Sequence, residues 1–455
     1  MASKKSKKKV AKKTTKKVTR TPVKVGATKT PALATNAPAR QPVHKKLEGR
    51  PAGSIAQQEA KLNALLHKVN NKHGGKEGAQ VISKADEVSS NSYLRRPSGI
   101  MQLDLDTGGG MPAQSLVTIG GPPNAGKSTL MYHYFGMHQR LYGDASFIAL
   151  ANSEGGIDYI QARRCGWIVP VPMNVIEAMQ QSRKDLRLPQ LTKDEIAELR
   201  RSIGQNTIIE ATTAEEILDV AEDLLRSNLY GFVGIDSYEG LIPGAEAALD
   251  SLEDHAQQAL RANIITRFLQ HYGAIKRDRE HYTTLVMTTQ VRTNRKKMEL
   301  PGPMQKYVKD YSDDKSAWAL QHWRAIHLNV DSGAKITANS TGKEAKNVLG
   351  KSFTWKVSKG KEGAHDNVHG DTPYYYDNRC FNTLTTVVLA GLHYGVIQER
   401  DGGLTFMRSN GEADEYLCRI PGKDSFIQAM LEEPDSEWDL RRAICMVAGV
   451  SPIYV

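Results

Sequence analysis

Gly121-Pro122-Pro123-Asn124-Ala125-Gly126-Lys127-Ser128, with Thr129 after it, is the stretch on which the reading of the fold turns. It follows an apolar run, Leu116-Val117-Thr118-Ile119, and leads into a helix-like one, Leu130-Met131-Tyr132-His133. A strand, a G-x-x-x-x-G-K-[ST] loop and a helix in that order read as a phosphate-binding loop. Glycines at 121 and 126 let the backbone turn so that successive amides point at one phosphate, and the helix adds the positive end of its dipole. Lys127 is expected to reach the β- and γ-phosphates and Ser128 to place its hydroxyl on Mg²⁺, with residues 121–129 forming the nucleotide cradle. Pro122 and Pro123 lack an N–H and belong on the entry side of the loop.

Composition sets the outer limits. A chain of 455 residues has room for two or three domains, and 40% hydrophobic content supports a sizeable core. No apolar run approaches the ~18 residues of a membrane span. The cysteines, Cys165, Cys380, Cys418 and Cys445, form no C-x-x-C pair, which suits reduced thiols inside a cell rather than zinc or a disulfide framework.

The charge is uneven. Residues 1–50 hold 16 Lys or Arg and a single acid, Glu48, so the whole +11 excess sits there and the remainder is slightly acidic. With so little apolar surface this Lys-rich tail is expected to be disordered. Lysines on a flexible arm neutralise phosphates without reading bases, which favours nucleic acid as partner. A solubilising arm and a nuclear-type address stay open; the missing apolar segment argues against a secretory signal.

After the tail, residues 55–71 show apolar positions at helical spacing, closed by Gly74-Gly75, and a polar connector carries one expected strand at 80–82. Strand candidates at 147–151, 207–210, 231–235 and 284–288 alternate with helical stretches such as 214–226 and 256–270. That alternation predicts a parallel sheet covered on both faces. Polar groups follow three of the strands, where open α/β sheets bind ligands. Asn152-Ser153-Glu154 offers a carboxylate for a water, Asp236-Ser237 an acid for Mg²⁺, and Thr289-Gln290-Val291-Arg292 a polar side chain leading into a basic loop. Behind a phosphate loop, these are the parts for water attack on a γ-phosphoryl group.

At this point the sequence resembles the RecA family of strand-exchange recombinases. The motifs are Ser98-Gly99-Ile100-Met101-Gln102-Leu103-Asp104, Gly108-Gly109-Gly110-Met111-Pro112, the phosphate loop, Glu154-Gly155-Gly156-Ile157-Asp158, Ala162-Arg163-Arg164-Cys165-Gly166, Val233-Gly234-Ile235-Asp236-Ser237, Thr289-Gln290-Val291-Arg292 and Lys356-Val357-Ser358-Lys359-Gly360-Lys361. The resemblance implies an α/β fold with a RecA-like P-loop ATPase core whose central sheet is mostly parallel and flanked by helices. It adds a short N-terminal helical segment and a small α+β C-terminal domain. The implied division is a tail at 1–52, a polymerisation segment at 53–97, the core at 98–372 and a lid domain at 373–455.

The resemblance also implies roles. Glu154 activates the attacking water, Asp236 is the Walker-B acid, Gln290 senses the γ-phosphate and Asp158 contacts adenine. Lys359 and Lys361 reach the neighbouring subunit's ATP, so the site is completed only in a filament. Residues 243–255 and 293–317 match the two DNA-binding loops. The second, with Arg292 just before it, brings Arg295, Lys296, Lys297, Lys306 and Lys309 together with Tyr307, a mixture that tracks phosphates while stacking on bases. The implied cofactors are ATP and Mg²⁺. The implied partners are single- and double-stranded DNA, further copies of the chain in a helical filament, and mediator and single-strand-binding proteins, with no membrane.

Some positions depart from the pattern. Gln161 stands where an aromatic residue often stacks on adenine, and His322 where an interface aromatic is common. An insertion near 168–205 carries a capped helix, Thr192-x-x-Glu195, with no assigned role. With the basic tail, these traits look more like those of a divergent phage-type member than those of a housekeeping bacterial one. Two other readings stay open: a ring helicase or other nucleotide-driven motor of the same core, and a DNA-packaging filament with little turnover.

Overall fold

The computed structural model describes residues 55–73, 94–153, 155–248, 258–278, 281–290, 318–337, 348–377 and 380–450. The chain divides into two units between Ser83 and Lys84. The N-terminal unit contributes α1 (Ile55–His73), as the spacing predicts; the strand expected at 80–82 lies outside the described residues.

The C-terminal unit begins with β1 (Arg95–Arg96), α2 (Met101–Asp106), β2 (Met111–Pro112), β3 (Leu116–Gly121), α3 (Lys127–Tyr142), β4 (Phe147–Asn152), α4 (Tyr159–Arg164), α5 (Met173–Asp185) and α6 (Lys193–Arg200). It continues through β5 (Gln205–Ile209), α7 (Ala214–Ser227), β6 (Phe232–Asp236), α8 (Gly244–Ala247), α9 (Gln258–Ile275), β7 (Thr284–Gln290) and α10 (Trp318–Trp323). Then come β8 (Ile326–Thr337), β9 (Val348–Gly360), β10 (His369–Tyr375), α11 (Thr383–His393), β11 (Ile397–Arg400), β12 (Gly403–Phe406), α12 (Lys423–Glu432) and α13 (Pro434–Val447). None of the described helices is long and apolar enough to cross a membrane.

Eight strands form one sheet in the order β10-β9-β8-β3-β7-β6-β4-β5. Every pairing from β8 to β5 is parallel, whereas β9 and β10 extend one edge antiparallel. The strand sequences explain the layering, because successive side chains point to opposite faces. Val117 and Ile119 of β3, Ile148 and Leu150 of β4, Phe232 of β6 and Val286 of β7 enter one core with Leu130, Met131 and Phe135 of α3. Their neighbours Leu116, Ala149, Ala151, Val233, Ile235, Leu285 and Met287 enter a second core with α7 and α9. A sheet buried on both faces gives near-continuous apolar strands, as the sequence shows.

Local signals fix several ends. Thr213 and Glu216 close a capping box on α7, and Thr192 and Glu195 do the same on α6 of the insertion. Near the start of this unit, the buried Asp104 carboxylate accepts from the Ser98 amide and hydroxyl, at 2.6 and 2.7 Å, and from the Gly99 amide at 2.9 Å. The C-terminal segment builds a third core, in which Val387, Phe406, Phe426, Leu440 and Ile444 pack with Met101 and Leu105 of α2 and Met137 of α3.

Candidate nucleotide site

Parallel pairing sets the strand ends level with one another. Gly121, the last residue of β3, stands opposite Gln290, the last of β7, and Asn152 of β4 stands opposite Asp236 of β6. The loop that follows β3 therefore opens onto the carboxyl ends of its neighbours, the usual ligand crevice of such sheets.

Two glycines shape that loop. Gly126 caps α3 with φ 98°, in the left-handed region that only glycine adopts without strain. A Cβ there would meet the Phe353 ring at 3.1 Å. At Gly121 a Cβ would run into the Val330 carbonyl. The loop is thus pressed closely onto β8 and β9.

A cavity of about 480 Å³ lies over it. Pro123, Asn124, Gly126, Lys127, Ser128 and Thr129 line one side, and Asp236 and Gln290 stand at the strand ends. Lys127 Nζ donates to the carbonyls of Gly121 and Pro122 at 3.2 and 3.0 Å. The Asp236 carboxylate is buried and accepts from the Thr288 hydroxyl, and the Gln290 amide donates to Glu239 at 2.8 Å. The peptide bond between Asp236 and Ser237 is cis.

Other expected residues lie elsewhere. Pro122 and Ala125 belong to the loop backbone, where the Ala125 amide donates to the Pro122 carbonyl at 3.2 Å. Asp158 caps α4, accepting from the Gln161 amide at 2.9 Å, and lines a neighbouring cavity with Asn152, Ile157 and Ile209. Lys359 Nζ donates to the Gln321 and His322 carbonyls at 2.6 and 3.3 Å, at the end of α10. Burial, then the Lys361 and Arg324 charges, push its ammonium down to about 8. Lys361 is tied by its amide to the Ala325 carbonyl at 3.0 Å. Neither lysine lines the loop's cavity. Glu154 and the basic-loop residues Arg292, Arg295, Lys296, Lys297, Lys306, Tyr307 and Lys309 lie outside the described residues.

Four residues of the cavity were not expected: Lys351 and Phe353 of β9, Tyr374 of β10 and Tyr376 just beyond it. Gln161 joins them, donating to the Tyr374 hydroxyl at 2.8 Å, and Tyr374 and Tyr376 pack edge to face at 5.8 Å. Burial, with Cys380 nearby, pushes the Tyr374 hydroxyl up to about 12. The visible signal for the tyrosines was the run Tyr374-Tyr375-Tyr376. Two of the four scattered cysteines also meet near Tyr374. Cys165 and Cys380 are free thiols with sulfurs 3.3 Å apart, and that contact together with burial raises the Cys165 thiol.

A nucleoside triphosphate with Mg²⁺ fits this donor set. The loop offers amides and Lys127 for phosphates, Ser128 and Asp236 are the oxygen ligands a hard divalent cation prefers, and the tyrosines offer faces for a base.

No protein-family model matches the chain. Among curated proteins it is similar to Protein RecA of Chloroflexus aurantiacus, 26% identical over 239 residues, which is 52% of this chain and 55% of that one. Protein RecA of Brevibacillus brevis is 25% identical over 309 residues, 68% and 70% of the two chains. Protein RecA of Petrotoga mobilis is 22% identical over 391 residues, 84% and 86%. The chain spans about half the length of several of these relatives, 53 to 55% in the Herpetosiphon and Chloroflexus proteins. Among solved structures, the RadB recombinase aligns with a TM-score of 0.36 at 15% identity, over 63% of this chain and 98% of that one, a likeness too small to add to the assignment.

Proposed function

We propose that this chain is an ATP-hydrolysing DNA strand-exchange protein of RecA type, a divergent phage-type member that polymerises on single-stranded DNA inside the cell. One observation carries the reading: Lys127 and Ser128 at the start of α3, with Asp236 and Gln290 at the ends of β6 and β7, share one cavity over a glycine-shaped loop. The similarity to RecA proteins, 22 to 28% identical, supports the choice of strand exchange among activities built on such a core.

Within this reading the side chains divide the work. Lys127 leaves the carbonyls it now holds to meet the β- and γ-phosphates. Ser128 and Asp236 would hold Mg²⁺, which would neutralise phosphate charge. Glu154 takes the proton of the attacking water, and Gln290, at the head of the basic loop, passes the state of the γ-phosphate to the DNA contacts. Tyr374 and Tyr376 face the base. Lys359 and Lys361 serve the adjoining subunit, so hydrolysis requires the filament, and the Lys-rich tail adds contacts to double-stranded DNA. Mediator and single-strand-binding proteins are the partners this activity calls for.

Negative-stain microscopy with single-stranded DNA and a non-hydrolysable ATP analogue tests the proposal. Extended helical filaments are expected. Closed rings would favour a motor of the helicase kind, and filaments together with no DNA-stimulated phosphate release in a parallel assay with ATP would favour a packaging role.

A further inference from the structure

Lys351 projects from β9, where it pairs with Lys335 of β8 and Tyr374 of β10. Its Nζ donates to the Asn124 carbonyl of the phosphate loop at 2.8 Å and to the Ser332 hydroxyl at 2.7 Å. Asn124 lies three residues before Lys127, in left-handed backbone with φ 61°. Lys127 donates to the carbonyls of Gly121 and Pro122, so two ammonium groups lean on different carbonyls of one loop and line one cavity.

We infer that Lys351 is a second phosphate-binding lysine of this site, supplied within the same subunit and directed at the phosphate chain rather than the base. The inference rests on the nucleotide reading above. Among the described residues Lys351 makes no ion pair: its hydrogen bonds go to a carbonyl and a hydroxyl. Burial lowers its pKa and outweighs the opposing charge of Asp331. A part-buried cation with no carboxylate bonded to it carries a desolvation cost that an anion in the cavity offsets. A phosphate oxygen is a stronger partner for an ammonium than a carbonyl, and a lysine stem is long enough to swing from one to the other. This role is distinct from that of Lys359 and Lys361, because Lys351 acts on its own subunit's nucleotide and needs no neighbour.

The test is displacement of a fluorescent ATP analogue from the full-length chain by ATP and by inorganic tripolyphosphate, which has no base. Lys351→Gln should weaken both competitors by a similar factor, about tenfold or more, and Lys351→Arg should recover most of the loss. Unchanged affinity in Lys351→Gln, with a wild type that binds ATP, would overturn the inference and leave the nucleotide reading standing. Loss for ATP without loss for tripolyphosphate would place Lys351 at the base or ribose and overturn it too. Ser332→Ala removes the other donor to the Asn124 carbonyl, at 3.3 Å; losses equal to those of Lys351→Gln would mean that Lys351 only props the loop. A wild type that binds neither competitor would overturn the nucleotide reading itself.

Discussion

The Ser153 hydroxyl donates to the Ser237 carbonyl at 2.6 Å and accepts from the Ser237 amide at 2.9 Å. A third bond, from the Ser153 amide to the Asp236 carbonyl at 2.7 Å, completes the tie between the ends of β4 and β6. The residue before Glu154 is thereby locked to the backbone of the proposed metal ligand. Glu154→Gln keeps size but loses the carboxylate, so nucleotide affinity and filaments should persist while turnover falls by ~10²-fold or more. Ser153→Ala should lower kcat with little change in nucleotide affinity. Steady-state kinetics beside equilibrium binding checks both, and a Glu154→Gln enzyme with wild-type turnover would show that another group activates the water.

Lys127 offers a harsher test. Lys127→Ala removes the ammonium from the loop's carbonyls, and with it the charge expected at the β- and γ-phosphates. ATP binding should weaken by ~10-fold or more and ATP-dependent filament extension should disappear. Near-normal hydrolysis in this variant would mean that the loop is not the catalytic cradle.

The strand, loop and helix around Lys127 were legible because each position has a narrow physical requirement: only glycine sits easily at the φ of 98° found at Gly126. The apolar strands were legible for the same kind of reason, since burial on both faces leaves few polar choices. Their ends were less so: β7 reaches Gln290, two residues past the expected stop, because pairing with Gly121 extends it. Lys351, Phe353 and Tyr374 escaped notice because their place depends on the antiparallel edge. There, a register shift between Ser332 and Lys335 decides which β9 residues face the loop, and spacing along one strand does not encode that. Asp158 sits at the cap of α4, a place that local sequence alone encodes for an Asp just before a short helix.

Acid should destabilise the fold through His133. Its ring packs part-buried against Phe381 at 4.8 Å, and desolvation lowers its pKa from 6.5 to about 4. Between those values the unfolded chain binds the proton and the folded chain does not. The stability is therefore full above the unfolded pKa and lost as pH falls toward the folded one. Unfolding in urea should give a free energy about 1–2 kcal/mol lower at pH 5 than at pH 7 from this residue alone. His133→Gln should flatten that slope whatever its stability at pH 7, and an unchanged slope would point to other groups.

Deleting residues 1–50 asks what the Lys-rich tail contributes. For every phosphate the tail neutralises, its removal should reduce the log–log salt slope of double-stranded DNA binding by ~0.9, while filaments on single strands survive. Binding titrations across a salt series check this, and an unaltered slope would leave the tail as an address or a solubility device.

Lys359 and Lys361 test whether the site is shared. The Lys359 ammonium is pushed down to about 8 by burial and by its cationic neighbours Lys361 and Arg324. The charged form prevails below that pH and is lost above it, so the cation available to a neighbour's phosphate disappears as pH rises. DNA-stimulated kcat/KM should fall through about pH 8, and Lys359→Arg, which stays charged, should move the limb upward. Replacing both lysines with Ala should spare ATP binding by the isolated subunit but remove DNA-stimulated hydrolysis. Mixing decides between a shared site and a pair of surface lysines: Lys127→Ala subunits, unable to hydrolyse but retaining both lysines, are added to the double-lysine variant on DNA. Recovered turnover would show that lysines act across the interface, and none from verified mixed filaments would confine each site to its own chain.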